Sequence, residues 1–311
     1  MQQEQKQLLT NNPLVSIVIV TYNSSKYVLE TLESASAQSY KNIELIVSDD
    51  GSSDNTVDVC STWLKAHQSR FTNTRLLTVS ANTGISANCN RGFGAATGSY
   101  IKGIAGDDIL MDNCIADNVL FIAGTPQAEV VFSRPKRFGG DPATMKQSEN
   151  SYLENEWIFS QPSSIQLTKE LAQTPFWYSA TMFIKKEAWQ RFKFDESYPM
   201  IEDTPFMLKY LRSGGQLFYF PMETVKYRFG HSDSVQHMSA NKTTHFKLYK
   251  KEFFKYDIKH KGMWHAWHNF VSLYVKTHKS KWFKLLLLSS PQYLADKSRH
   301  ILATKKVFNA G

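Results

Sequence analysis

Residues 16–20 read Ser-Ile-Val-Ile-Val, a near-continuous β-branched run that predicts a strand buried on both faces of a parallel sheet. Tyr22-Asn23-Ser24-Ser25 follows with polar side chains that can cap a helix. The cycle then recurs. Residues 43–48 predict a second strand, Asp49-Asp50-Gly51-Ser52-Ser53-Asp54 a turn, and Val57, Cys60, Trp63, Leu64 and His67 fall at helical spacing. A third round predicts a strand over 76–79, a helix over about 85–97 closed by Gly98, and a strand over 100–104. Such alternation specifies an α/β fold, a mostly parallel sheet flanked by helices with right-handed crossovers.

Farther along the pattern weakens. Residues 134–178 are polar and carry Pro135, Gly139, Gly140, Pro142 and Pro162, which predicts an irregular, mobile segment. Regular structure is expected again at 180–184. Thr204-Pro205 predicts a helix with proline at its first position, ended by Gly214-Gly215, and 216–220 predicts another strand. No internal repeat or low-complexity tract is present.

With 42% hydrophobic and 13% aromatic residues in 311, the chain can build a sizeable core. No apolar run, Leu285-Leu286-Leu287-Leu288 included, comes near the ~20 residues needed to span a bilayer, and the first residues carry no export or transit pattern. Cys60, Cys89 and Cys114 are odd in number and lack a CxxC, which argues against a disulfide or zinc framework and suits a reducing compartment. A cytoplasmic protein is expected. The net charge of +8 is uneven: residues 241–311 hold 15 Lys and Arg against 3 Asp and Glu, a local +12 that leaves the first 240 residues at −4. That contrast points to chemistry in the body and adhesion to an anionic surface, membrane or nucleic acid, by the tail.

Open parallel sheets bind ligands beyond the carboxyl ends of their strands, and here the loops at those ends are acidic. Asp49-Asp50 and Asp107-Asp108 would repel an anionic diphosphate unless a hard divalent cation bridged them, so magnesium or manganese is implied. Alone, the 49–54 stretch is also what a simple turn with an N-cap requires. Asp107-Asp108 is less easily explained by turn chemistry, because apolar Ile104, Ala105 and Ile109 flank the two like charges. The glycines of 92–98 have the wrong spacing for a dinucleotide fingerprint and lie before a strand rather than after one; no GxxxxGK[ST] occurs. Dehydrogenase and P-loop chemistry are thereby set aside.

The stretches 15–23 (VSIVIVTYN), 44–54 (ELIVSDDGSSD), Asn82-Thr83-Gly84, Gly98-Ser99-Tyr100-Ile101 through Asp107-Asp108, and Glu202-Asp203 together resemble the family 2 inverting glycosyltransferases of GT-A fold, including bacterial enzymes that assemble O-antigen and capsule repeats. The resemblance covers about residues 13–235. It implies a single nucleotide-diphospho-sugar transferase domain there, preceded by a disordered segment over 1–12 and followed by a helical basic and aromatic appendage over 236–311. It further implies that Thr21 and Tyr22 line the base pocket with Asn23, that Asp49 supports its wall, and that Asp50 accepts the uracil N3 hydrogen. By the same resemblance Asn82 and Gly84 belong to the nucleotide-sugar site, Asp107 contacts ribose and metal, Asp108 holds the Mn2+ or Mg2+ on the diphosphate, and His231 is a further metal or phosphate ligand. Two positions depart from the family pattern: Ala105 stands where an acid is usual, and Cys89-Asn90 where Arg-Asn is usual.

Glu202-Asp203 stands at the start of a helix, whose dipole keeps a carboxylate ionised and able to accept a proton. The family assigns the general base to the position of Asp203, with Glu202 beside it in the site; an acidic first turn that only helps to start the helix is the other reading. The tail interleaves Lys with Phe, Tyr, Trp and Leu over 246–308, as expected of helices lying on an anionic bilayer and equally of a helical cap packed on the sheet. His265 and His268 have the spacing of a metal pair, although Trp264, Trp267 and Phe270 around them favour an interfacial aromatic belt. The expected protein is peripheral at the inner face of the cell membrane. Its expected partners are a UDP-sugar donor and a sugar acceptor carried on a polyprenyl diphosphate. A soluble or protein acceptor is the alternative among enzymes. A nucleic-acid-binding protein would explain the tail but none of the acidic motifs, so no nucleic acid is expected.

Overall fold

In the computed structural model, β1 (Val15–Thr21), β2 (Ile43–Asp49), β3 (Asn73–Thr78) and β4 (Tyr100–Ala105) form the parallel half of an eight-stranded sheet. The remaining strands are β5 (Ile109–Leu110), β6 (Val130–Phe138), β7 (Phe183–Lys185) and β8 (Leu217–Arg228), and the order across the sheet is β3-β2-β1-β4-β7-β6-β8-β5. Strand β7 runs antiparallel to both β4 and β6, and edge strand β5 runs antiparallel to β8. The residues described are 12–172, 177–229, 254–260, 263 and 267. The chain divides into two units, Met1–His231 and Ser232–Gly311; of the second, residues 254–260 are helical.

Alternation along the strands divides the core between the two faces of the sheet. From β1, Val15, Ile17 and Ile19 join Leu45 and Val47 of β2 under α1 (Val28–Ser36), α2 (Thr56–His67) and α4 (Cys114–Gly124). Val18 and Ile46 point the other way, toward Phe93 of α3 (Ile85–Ala95), Trp189 of α7 (Lys186–Phe192) and Phe206 of α8 (Asp203–Arg212). Helices thus cover both faces, which is why the central strands are rich in apolar residues on both sides, with polar positions such as Ser16, Glu44 and Lys102 buried among them.

The segment 134–178 corrects the expectation of an irregular, mobile stretch. It contains the end of β6, α5 (Pro142–Leu153) and α6 (Ser163–Ala172). Pro142 is a helix-starting proline behind Asp141, whose side chain accepts the Thr144 N–H at 2.9 Å. Polar composition had hidden a capped helix. Helix α8 also starts earlier than its proline suggested, at Asp203 with Glu202 as N-cap. Among the described residues no helix is long and apolar enough to cross a membrane.

Candidate active site

Register places the acidic residues together. Thr21 pairs with Asp49 across β1 and β2, and Val20 with Ala105 across β1 and β4, so three parallel strands end at one level. Their exits are tied: Asp50 N–H donates to Thr21 O at 3.0 Å and Gly106 N–H to Val20 O at 2.9 Å. A Cβ on Gly106 would come within 2.8 Å of Thr21 Cγ2, so only glycine allows this approach.

Asp49 is enclosed. It accepts Thr21 Oγ1–H (2.8 Å), Ser52 N–H (2.9 Å) and Ser52 Oγ–H (2.5 Å). Asn23 links the loops after β1 and β2, taking the Ser53 N–H on Oδ1 at 2.8 Å, while Tyr22 is 42% exposed at their rim. Asp50 is only 2% exposed and its two oxygens take four bonds: Thr83 N–H (3.0 Å), Thr83 Oγ1–H (2.5 Å), Gly84 N–H (2.8 Å) and Arg91 (3.3 Å). Asn82 accepts the Gly84 N–H at 3.2 Å, and Gly84 has a φ of +94°.

Helix α3 joins this pocket to the segment before Glu202-Asp203. On one side Asn88 donates to Thr21 O (3.1 Å), and Arg91 reaches Asn88 Oδ1 (2.9 Å) as well as Asp50. On the other, Ser86 Oγ–H donates to Tyr198 O (2.7 Å), and Asn90 donates to Phe194 O (3.0 Å) and accepts the Phe194 N–H (3.0 Å). The segment so clamped leads directly into Glu202 and Asp203. A side chain at Gly84 would meet Pro199 at 2.6 Å, so the Asn82–Gly84 loop also rests on it. Buried Cys89 lies between the two groups: burial first, then the charges of Glu202, Asp203 and Asp50, push its thiol well up.

Asp203 receives Trp177 Nε1–H on Oδ2 at 3.0 Å and the Thr204 N–H on Oδ1 at 2.6 Å. Burial raises its carboxyl even against these bonds. Burial, then the charge of Asp203, pushes the Glu202 carboxyl up to about 8. Burial thus outweighs the helix dipole here, and the expectation that the dipole keeps these carboxylates ionised is corrected: both hold their protons more strongly than on an exposed first turn.

Asp107 and Asp108 follow β4. Asp108 is 2% exposed; its Oδ1 accepts the Arg228 N–H at 2.8 Å, and burial first, then the charge of Asp107, raises its carboxyl well above the usual range. Two adjacent carboxyl groups after one strand offer hard oxygen donors of the kind a divalent cation takes when substrate phosphates complete its shell, so this pair fits magnesium or manganese. Among the described residues no three His, Cys, Asp or Glu converge on one point. His231, and the His265 and His268 pair, lie outside the described residues.

Several residues of this site were missed in the sequence. Asn88 and Arg91 stand three apart on one helix face, a signal obscured by attention to Cys89-Asn90. Trp177 fell in the stretch taken for irregular. Lys102, inside the apolar run of β4, is fully buried and donates to Ala180 O (2.5 Å) and Met182 O (3.3 Å); burial lowers its ammonium to about 8.

Residues 16–193 match the family model described as Glycosyl transferase family 2. Glycosyltransferase GlyG of Streptococcus pneumoniae is 35% identical over 102 residues, 33% of this chain and 33% of that protein, so the chain aligns with only a third of that relative's length. An uncharacterized glycosyltransferase of Haemophilus influenzae is 26% identical over 89% of this chain and 84% of its own. Among solved structures, S. aureus TarS 1-349 in complex with UDP superposes with a TM-score of 0.55 at 18% identity, covering 88% of this chain and 75% of that one. The mannosyltransferase PcManGT from Pyrobaculum calidifontis, in complex with GDP-Man and Mn2+, gives 0.57 at 16% identity over 99% and 93%. At such identities the two structures bear on fold, and the fold they share with this chain is the GT-A arrangement.

Proposed function

Because the chain belongs to glycosyl transferase family 2, with its nucleotide-sugar fold, we propose that it moves a hexose from a UDP-sugar to a hydroxyl of a lipid diphosphate-linked sugar, inverting the anomeric centre, in surface polysaccharide or O-antigen assembly. The observation that carries this reading is helix α3, which ties the pocket around Asp50 to the segment bearing Asp203. A leaving group and a base held at opposite sides of one rigid element are what a single displacement needs.

In this reading Asp203 accepts the proton of the acceptor hydroxyl as its oxygen attacks the anomeric carbon from the face opposite the nucleotide. The bond from that carbon to the diphosphate oxygen breaks, and the electron pair leaves with UDP. Asp107 and Asp108, with His231, would hold Mn2+ or Mg2+, which when bound neutralises charge on the diphosphate. Tyr22, exposed at the rim, stacks on the base, and Asp107 also reaches ribose. Asp50 takes the uracil N3–H in place of one of its present four bonds, most simply that from the Thr83 hydroxyl, since a carboxylate has about four acceptor sites. TarS structures hold UDP and UDP-GlcNAc, and that of PcManGT holds GDP-Man, which supports a nucleotide-sugar donor here.

Incubation of the purified protein with radiolabelled UDP-, GDP- and dTDP-sugars should show metal-dependent hydrolysis of a UDP-sugar. Hydrolysis confined to GDP-sugars would overturn the uracil assignment, and hydrolysis of none would remove the donor site.

The basic region 236–311 is read as the part that meets the anionic membrane carrying the acceptor. Each Lys or Arg near such a surface adds about 1 kcal/mol, so the 15 of residues 241–311 need only partly engage. Joint replacement of Lys279, Lys281 and Lys284 by Glu should abolish sedimentation with anionic vesicles; unchanged sedimentation, with equal binding to neutral vesicles, would defeat the membrane reading.

A further inference from the structure

Arg228, the last residue of β8, stands next to the acid pair without belonging to any motif singled out in the sequence. Its guanidinium lies between two rings, 4.3 Å from the Tyr27 centroid and 4.4 Å from that of Phe138. Its side chain is 12% exposed. Its Nε–H donates to Asp107 O at 2.8 Å and its NH2 group pairs with Glu30 of α1 at 2.9 Å. Its own backbone N–H is the donor to Asp108 Oδ1. One residue therefore grips the acid pair twice, by side chain at Asp107 and by main chain at Asp108. The other oxygen of Asp108 accepts no hydrogen bond from a described residue.

We propose that Arg228 is a positioning residue for the cation that Asp107 and Asp108 hold, fixing the Asp107 carbonyl and one Asp108 oxygen so that the second Asp108 oxygen is aimed at the metal. The inference rests on the reading of that pair as metal ligands. A planar guanidinium suits the task because it can stack on two rings while its edge makes directed bonds, which an ammonium cannot do. Helix α1 is recruited through Glu30, and Asp108 O additionally accepts Thr31 Oγ1–H of the same helix at 2.7 Å, so the loop after β4 is braced from β8 and α1 together.

The test measures UDP affinity of the full chain by calorimetry, with MnCl2 and with EDTA, in wild type, Arg228→Gln, Arg228→Lys, Glu30→Gln and Arg134→Gln. Outer partners of metal ligands typically contribute about 10–100-fold to metal affinity, so Arg228→Gln should lose about 10-fold or more of the Mn2+-dependent gain while its affinity in EDTA is unchanged. Arg228→Lys should recover part of that loss. Glu30→Gln, at a half-exposed position that tolerates change, should lose a smaller share. Arg134, paired with Glu156 on β6 away from the acid pair, supplies the control for a merely structural ion pair and should lower the melting temperature without altering the Mn2+ gain. If wild type binds UDP more tightly with Mn2+ and both Arg228→Gln and Glu30→Gln do so equally, the positioning role is wrong. If wild type shows no Mn2+ gain at all, it is the metal reading that fails.

Discussion

Replacing Asp203 by Asn is expected to lower turnover by about 10²–10⁴-fold, the usual contribution of a positioned general base, with UDP affinity unchanged. Asn is isosteric and keeps one oxygen, enough for either Trp177 Nε1–H or the Thr204 N–H, so the shape at the start of α8 survives while the proton acceptor and one of these bonds are lost. Because burial raises the Asp203 carboxyl, the base is ionised only above the ordinary carboxylate range, and turnover in the wild type should rise with pH on a limb displaced upward. Stopped turnover of a donor and acceptor pair, read from pH 4 to 9, gives both results. Near-normal turnover in the variant would leave Asp203 as a helix-starting residue.

Glu202 supplies an independent check through stability. Its carboxyl is raised from 4.5 to about 8, so between those values the folded protein binds more protons than the unfolded chain, and stability falls as pH rises through that window. Glu202→Gln removes that loss. The variant should match the wild type at about pH 4 and melt higher above about pH 8. If the pair served only to complement the helix dipole, the same substitution would lower the melting temperature wherever the carboxylate is ionised. Stability sacrificed at a site that needs two close acids is common where chemistry is performed.

The parallel half of the fold was legible because strands buried on both faces leave runs dominated by Ile, Val and Leu, and 16–20 and 43–48 are such runs. The far half was not. Helix α5 is polar over most of its length and its start depends on the local bond from Thr144 to Asp141, which no hydrophobic period announces. In the site, the acidic residues stood out because charge beside apolar strand residues is conspicuous. Their supports did not: Asn88, Arg91, Trp177 and Arg228 reach partners as far as 67, 42, 26 and 198 residues away in the chain, and such pairings exist only once the strands are in register. Lys102 shows the limit most plainly, since a lysine inside an apolar run reads as an edge or a break, yet here two carbonyls of the turn before β7 receive it.

Asp108→Ala is expected to abolish the metal requirement and the activity with it. If Asp107 and Asp108 hold the cation as proposed, Asp108 is one of the two carboxylates they bring to it, and its loss should weaken UDP binding in Mn2+ by more than about 100-fold, beyond what outer partners contribute. The carboxyl is nearly inaccessible, with Oδ1 bound to the Arg228 N–H and its proton affinity raised by burial and by Asp107. Ionising it without a cation is costly, so proton and metal compete for the same oxygens. Metal binding should therefore release protons and tighten as pH rises. It follows that in EDTA the Asp108→Asn protein, which keeps an oxygen for the Arg228 N–H, should be no less stable than the wild type near neutral pH, whereas Asp108→Ala loses that bond as well as the carboxyl group. Adding Mn2+ should then raise the melting temperature of the wild type alone. Full wild-type activity in EDTA, with tightly held metal excluded by elemental analysis, would show that the acid pair does its work without a cation, and the assignment of Asp107 and Asp108 as its ligands would have to be withdrawn.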